Sequence, residues 1–277
     1  MLRTRLLTVA IVFPALLLVL FALPARYWFA LVLIAAAVAA YEWAQLSGFS
    51  VAHAWLYGVA VPCIALLIRL IGAYVVGNGD TTRFVCLVAV GFWIVIAPLL
   101  LSNRLAMKGK VAPLVIGAVV LIPVWFALVS LREIGPLYVF FSMGVIWLAD
   151  TAAYFAGRAF GRHKLAPTIS PGKTWEGVAG AMLIAILYAV ILVTLSKHYG
   201  AISGGRIGLV ALGFVLLTAL SVLGDLFESW LKRRSGKKDS GNLFPGHGGI
   251  LDRIDSITST MPLAALVLSC CRAPLGL

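Results

Sequence analysis

The chemistry in this chain is concentrated in residues 229–255, which read SWLKRRSGKKDSGNLFPGHGGILDRID. Lys232, Arg233, Arg234, Lys237 and Lys238 come first, followed by Asp239. A glycine-rich turn then surrounds His247 with Gly246, Gly248 and Gly249, and leads directly to Asp252 and Asp255. Residues 252 and 255 are three apart, so on a helix their carboxylates share a face. Asp225 and Glu228 repeat that spacing at the end of the preceding apolar run. Two acidic helix ends flanking one loop could meet across the mouth of a helical bundle. Carboxylate oxygens suit hard divalent cations, magnesium above all, which usually share substrate phosphates. Basic side chains around such a centre would neutralise polyphosphate charge. Phosphoryl or nucleotidyl transfer needs both positioning and charge stabilisation.

Each part has a plainer reading when taken alone. The basic run would be a loop touching anionic headgroups. The two aspartates would be a solvated helix start favoured by the helix dipole, and His247 an ordinary loop histidine. None of these accounts for three glycines around one histidine just ahead of paired carboxylates. Glycines there would let backbone N–H groups approach an anion.

A second polar stretch, residues 170–177, reads SPGKTWEG. Gly-Lys-Thr resembles the end of a phosphate-binding P-loop, but that pattern needs a glycine where Pro167 stands, and no strand is expected before it. A P-loop is therefore rejected. What remains is a helix start with Lys173 and free N–H groups, suited to phosphate. The competing reading is simple capping by Ser170 or Thr174, with Pro171 in the first turn and Glu176 early in the helix. Asp150, in an apolar run beside Trp147 and Tyr154, either serves substrate or metal or pairs with a basic residue such as Arg158. Glu42 poses the same question with less context.

The elements that position these groups are membrane spans. Of 277 residues, 62% are hydrophobic and 12% charged, against about 25% charged in a soluble domain. Apolar runs near 20 residues recur, each long enough to cross a hydrocarbon core of roughly 30 Å. The expected fold is an all-α, polytopic bundle of about nine transmembrane helices with a cytoplasm-facing polar pocket. The spans are 6–23, 27–46, 54–76, 84–102, 112–130, 136–157, 176–196, 207–228 and 256–271, the last being short. Lys and Arg number 15 on the side holding the N-terminus and 6 on the other. The bias places the N-terminus and the polar pocket in the cytoplasm of a cell whose inner membrane holds the chain. The net charge of +12 is then topogenic and calls for no nucleic acid. Arg3 and Arg5 before an apolar run resemble a signal peptide, but an uncleaved first span is expected because a second follows at once. Cys63, Cys86, Cys270 and Cys271 lack metal-finger spacing and read as small apolar residues. Seven of the ten acidic residues lie between 150 and 255. Residues 1–135 therefore read as scaffold and 136–277 as the catalytic region.

The 229–255 run, with Ser229, Leu231, Lys232, Arg233, Lys238, Asp239, Gly241, Phe244, Pro245, His247 to Ile250 and Asp252 to Asp255 in place, resembles the signature of phosphatidate cytidylyltransferases, or CDP-diacylglycerol synthases. Residues 170–177 and 224–229 resemble further family segments, and the likeness is close over roughly 140–256. The resemblance implies that CTP and phosphatidate give CDP-diacylglycerol and pyrophosphate. It also implies Mg2+, with K+ as a candidate second metal, a pocket open to membrane lipid, and a homodimer. Carried over, the metal ligands are Asp225, Asp252 and Asp255. Lys238, Asp239 and His247 complete the catalytic set, His247 by donating to a phosphate or orienting Asp239. Candidates for holding nucleotide and lipid phosphates are Ser170, Lys173, Thr174, Lys232, Arg233, Gly248, Gly249 and Arg253.

Two rivals were weighed against this. A CTP-dependent lipid kinase of related fold would release a diphosphate nucleotide instead of pyrophosphate. An ion or solute transporter would also carry membrane-embedded acids. Transporters often show inverted repeats, and no such repeat is visible here.

Overall fold

The computed structural model describes residues 2–107, 109–198, 207–243 and 248–275. The helices run α1 (Leu2–Leu17, continued by a π-helical turn, Leu18–Ala22), α2 (Ala25–Leu46), α3 (Val51–Val75) and α4 (Asn78–Gly91). A second π-helical turn (Phe92–Ile96) joins α4 to α5 (Ala97–Leu101). Then come α6 (Val111–Ile134), α7 (Pro136–Phe160), α8 (Trp175–His198), α9 (Ile207–Arg234) and α10 (Leu251–Leu275). Every expected span is matched by helix. Among the described residues, seven spans are long and apolar enough to cross a membrane, from Ala25–Leu46 to Val210–Arg234. The chain is thus a multi-pass, all-α membrane protein.

The apolar surface is distributed as a bilayer would require. Helix α3 turns Leu56, Val59, Leu67, Leu70 and Val75 outward, because lipid tails remove the incentive to bury them. Cys63 is exposed on that helix, whereas Cys86 is buried. Helix α6 is the apolar centre, with Val120 to Val129 buried without a break.

The last expected span, 256–271, is short, and the structure extends its helix to Leu251–Leu275. It packs against α9, α6 and α4 inside the bundle. Its early turns bury Ser256, Thr258, Ser259 and Thr260. Those hydroxyls are satisfied by backbone carbonyls: Ser259 donates to Leu220 O at 2.7 Å and Thr260 to Ser256 O at 2.7 Å. A helix buried by other helices can afford polar residues that a lipid-facing helix cannot.

One element departs from the all-helical expectation. Strands β1 (Lys164–Ala166) and β2 (Ser170–Thr174) form an antiparallel hairpin between α7 and α8. A strand does precede Gly-Lys-Thr, contrary to expectation, but Lys173 lies within β2 itself and not in a loop beyond it. Pro171 likewise sits in this strand and not in a helical turn.

Candidate active site

Three helix ends and the hairpin converge on one end of the bundle. The position of α9 there is set by Phe227, which is fully buried and packs edge-on against Phe92 and Trp93, with ring centroids at 5.7 and 5.4 Å. The π-helical turn that carries Trp93 aims its indole N–H at Thr258 O of α10, 3.1 Å away. Phe227 therefore fixes the rotation of α9 between the two acidic positions that flank it, Asp225 and Glu228.

Gly224 brings α9 and α10 together. A side chain there would run into Ser259, and would come within 2.7 Å of Asp255 O. Only a glycine lets the two backbones approach this closely. As a result Asp225 and Asp255 face one another, and Asp150 of α7 joins them through the gap between helices. Asp150 accepts a 3.5 Å hydrogen bond from Ser221, while Arg158 turns instead to the Tyr154 hydroxyl at 3.2 Å. The pairing of Asp150 with Arg158 considered from sequence is not formed. Lys173 reaches this cluster from β2, its Nζ 2.5 Å from Asp225 Oδ2. Ser229 also donates to Asp225, at 3.4 Å.

A second cluster lies one turn further along both helices. Lys232 Nζ is 2.5 Å from Glu228 Oε2 and 2.6 Å from Asp252 Oδ1, with both carboxylate side chains 5% exposed. The acidic ends of α9 and α10 thus meet twice, as their matched spacing suggested: Asp225 with Asp255, and Glu228 with Asp252. The other oxygen of Asp252 is saturated separately. Oδ2 accepts from Ser240 N at 2.8 Å, Ser240 Oγ at 2.9 Å and Gly249 N at 2.8 Å.

Sequence reasoning did not assign a role to Glu42, and the structure gives it one. This α2 carboxylate is 4% exposed. It accepts from Ile250 N at 3.0 Å, Leu251 N at 2.9 Å and Ser240 Oγ at 2.8 Å. It therefore satisfies the first free N–H groups of α10, which would otherwise be orphaned. The glycine-rich turn was expected to cradle an anion, and the anions it cradles here are the protein's own. A side chain on Gly249 would collide with Glu42 and Ser240, and one on Gly248, where φ is +78°, would collide with Asp252.

The remaining sequence candidates are placed as follows. Thr174 is the helix cap, accepting Gly177 N at 3.2 Å on Oγ1. Glu176 binds the His163 ring at 2.7 Å. Ser170 lies in β2, half-buried. Arg233 donates to Ile169 O at 3.4 Å, tying the end of α9 to the hairpin. Lys238, Asp239 and Arg253 are exposed. His247, with Phe244, Pro245 and Gly246, lies outside the described residues.

Asp225 pairs with Lys173, and Asp150 and Asp255 lie within electrostatic range of both. That excess of negative oxygen donors, taken partly out of water, fits a hard divalent cation. Among the described residues, no three Asp, Glu, His or Cys side chains yet encircle a point as a finished metal centre would. Asp252 stands apart from the acidic trio, engaged by Lys232, Ser240 and Gly249.

The chain is similar to known proteins along nearly its whole length. A model of the cytidylyltransferase family matches residues 3–271. A phosphatidate cytidylyltransferase of Pseudomonas aeruginosa is 38% identical over 279 residues, covering 97% of each chain. One from Haemophilus influenzae is 52% identical over 130 residues, covering 46% of this chain and 42% of that one. One from Staphylococcus epidermidis is 44% identical over 138 residues, covering 50% and 51%. With its acidic and basic groups gathered at one end of a membrane bundle and the family match running almost end to end, the chain belongs to the cytidylyltransferase family.

Proposed function

We propose that this chain is a phosphatidate cytidylyltransferase whose acidic trio and lysines form the reaction site. A phosphate oxygen of phosphatidate attacks the α-phosphorus of CTP. The new P–O bond gives CDP-diacylglycerol, and the bond to the β-phosphate oxygen breaks to release pyrophosphate. The attacking oxygen is already ionised near neutral pH, so the chain need not supply a strong base. Its work is to hold three charged groups in line and to spread their charge.

The observation that carries this reading is the approach of Lys173 to Asp225 beside Asp150 and Asp255. Polyphosphate binding requires cations, and Lys173 stands on the hairpin where it could exchange Asp225 for a phosphate oxygen. Lys238, Arg253 and Arg233 are exposed nearby in the chain and offer further phosphate contacts, the arginines in bidentate fashion. Asp225 and Asp255, with Asp150 beside them, would hold Mg2+, and the family resemblance adds Asp252. A bound divalent ion supplies charge neutralisation of the phosphates, and K+ is the candidate for a second ion. The excess of Lys and Arg in the loops on this side supports a cytoplasm-facing site in an inner membrane. Acyl chains stay in lipid while the headgroup enters, and the working unit is a homodimer. Residues 136–277 carry the chemistry and residues 1–135 support it.

The test is direct product detection. Purified protein in detergent, given CTP, phosphatidate and Mg2+, should form CDP-diacylglycerol, seen by mass spectrometry. Formation of a diphosphate nucleotide with a doubly phosphorylated lipid would instead assign a lipid kinase.

A further inference from the structure

We infer that Glu42 is a positioning residue for the reaction: a fixed internal anion that locks the glycine-rich turn and, through Ser240, aims Asp252. The inference rests on the proposed activity, which assigns no role to this helix.

An ionised group taken out of water is strongly unfavourable unless hydrogen bonds replace its hydration. Glu42 lies in an apolar helix between Tyr41 and Trp43, 4% exposed. No basic side chain reaches it among the described residues; its partners are two backbone N–H groups and one hydroxyl. That arrangement neutralises a carboxylate with helix-start dipoles instead of a counter-ion. It also ties α2 to both ends of the loop, which Asp252 bridges from the α10 side. Ser240 lies at the start of this loop and Ile250 and Leu251 at its end, and one carboxylate bonds to all three.

The consequence reaches Asp252 through one atom. Ser240 Oγ lies 2.8 Å from Glu42 Oε2 and 2.9 Å from Asp252 Oδ2. A hydroxyl has one proton, so its orientation is decided jointly by the two carboxylates. The Ser240 backbone N–H then donates to the same Asp252 oxygen at 2.8 Å. Moving Glu42 therefore moves Ser240, and moving Ser240 changes how Asp252 presents Oδ1 to Lys232. The glycines show how tight the clasp is. A side chain on Gly241 would come within 2.5 Å of Glu42 Oε1, and one on Gly249 would strike Glu42 and Ser240. Glu42 itself is held in rotation by its neighbour: the Trp43 indole donates to Pro113 O at 2.8 Å and is fully buried.

The experiment compares wild type with Glu42→Gln and Glu42→Ala, both in detergent. Glutamine keeps the shape but puts an amide N–H2 against a backbone N–H. Loss of such a supporting contact typically costs about 10–100-fold in activity. Glu42→Gln should lower kcat by about that factor while KM for CTP and phosphatidate stays within about two-fold. Hydrogen exchange gives a readout independent of turnover: the peptide containing residues 248–251 should exchange faster in both variants, with α6 and α7 unchanged. In Glu42→Ala, formate should enter the vacated anion site, slow that exchange and recover part of kcat, whereas chloride at equal ionic strength should not. Wild-type kcat in Glu42→Gln would overturn the inference. So would faster exchange spread over the whole bundle, which marks general destabilisation. If wild-type protein makes no CDP-diacylglycerol, the proposed activity falls. If wild type is active and Glu42→Gln equals it in kcat and exchange, this inference alone falls.

Discussion

Lys173 and Asp225 meet at 2.5 Å, joining the hairpin to helix α9 at the point where the acidic side chains gather. Both are partly open, with side chains 23% and 33% exposed. That openness separates this pair from the enclosed one at Lys232, and the two should respond differently to mutation.

Replacing Lys173 by Met should reduce activity far more than stability. Removing one preorganised charge from a transition-state site costs about 10²–10³-fold in kcat. The pair is too exposed to contribute much to folding, since such bridges are worth about 0–1 kcal/mol. Steady-state kinetics and a detergent melting curve measured together would check this. A large drop in melting temperature without a kinetic effect would assign Lys173 to structure.

Replacing Lys232 by Met should cost stability as well as activity. It would leave Glu228 and Asp252, each 5% exposed, without their shared cation. Breaking a buried pair in this way costs about 3–5 kcal/mol. The double variant Lys232→Met with Glu228→Gln removes one stranded charge and should regain part of the lost melting temperature. Additive losses in the double variant would argue against the bridge.

Glycine positions in the same loop region should differ sharply. Gly236 and Gly249 offer the comparison: Gly236 has φ +68° with open space around it, whereas a side chain at Gly249 meets Glu42 and Ser240. Gly236→Ala should cost only left-handed strain, about 1–2 kcal/mol, and keep activity. Gly249→Ala should abolish turnover. Equal activities in the two variants would show that the clasp around Glu42 is looser than described.

Gly224→Ala should separate α9 from α10, because its side chain would meet Ser259 and Asp255 O. Overpacking of this kind costs about 1–3 kcal/mol. Activity should fall further than stability, since Asp225 and Asp255 are carried apart. A variant with normal kcat would separate the acidic trio from catalysis.

Much of this arrangement was legible in the chain. Helical spans are written as long apolar runs, because lipid forces every backbone group to be satisfied within its own helix. The i, i+3 spacing of Asp225 with Glu228, and of Asp252 with Asp255, foretold two facing acidic ends. What escaped was non-local or small. Glu42 is a single carboxylate whose partners, Ser240, Ile250 and Leu251, lie far along the chain, and no local pattern announces them. The hairpin escaped because Ser170 to Thr174 carry no alternating apolar signal, and its two strands are only 3 and 5 residues long. The last span read as short because only its apolar part, 256–271, was counted, whereas the helix runs Leu251–Leu275 with its polar early turns enclosed by others. The glycines near His247 suggested room for a phosphate; in the structure Gly249 N–H donates to Asp252, and the bare positions 248 and 249 leave space for Asp252 and Glu42.

The central claim is that the acidic trio with Lys173 transfers a cytidylyl group to phosphatidate, and pyrophosphate release tests it most directly. Purified protein would be given phosphatidate, Mg2+ and each of the four ribonucleoside triphosphates in turn, beside Asp225→Asn as control. The account predicts pyrophosphate with CTP, dependent on phosphatidate, abolished by chelation of the metal and lost in Asp225→Asn. Folded wild-type protein that releases no pyrophosphate with any nucleotide, or an Asp225→Asn variant as active as wild type, would contradict it.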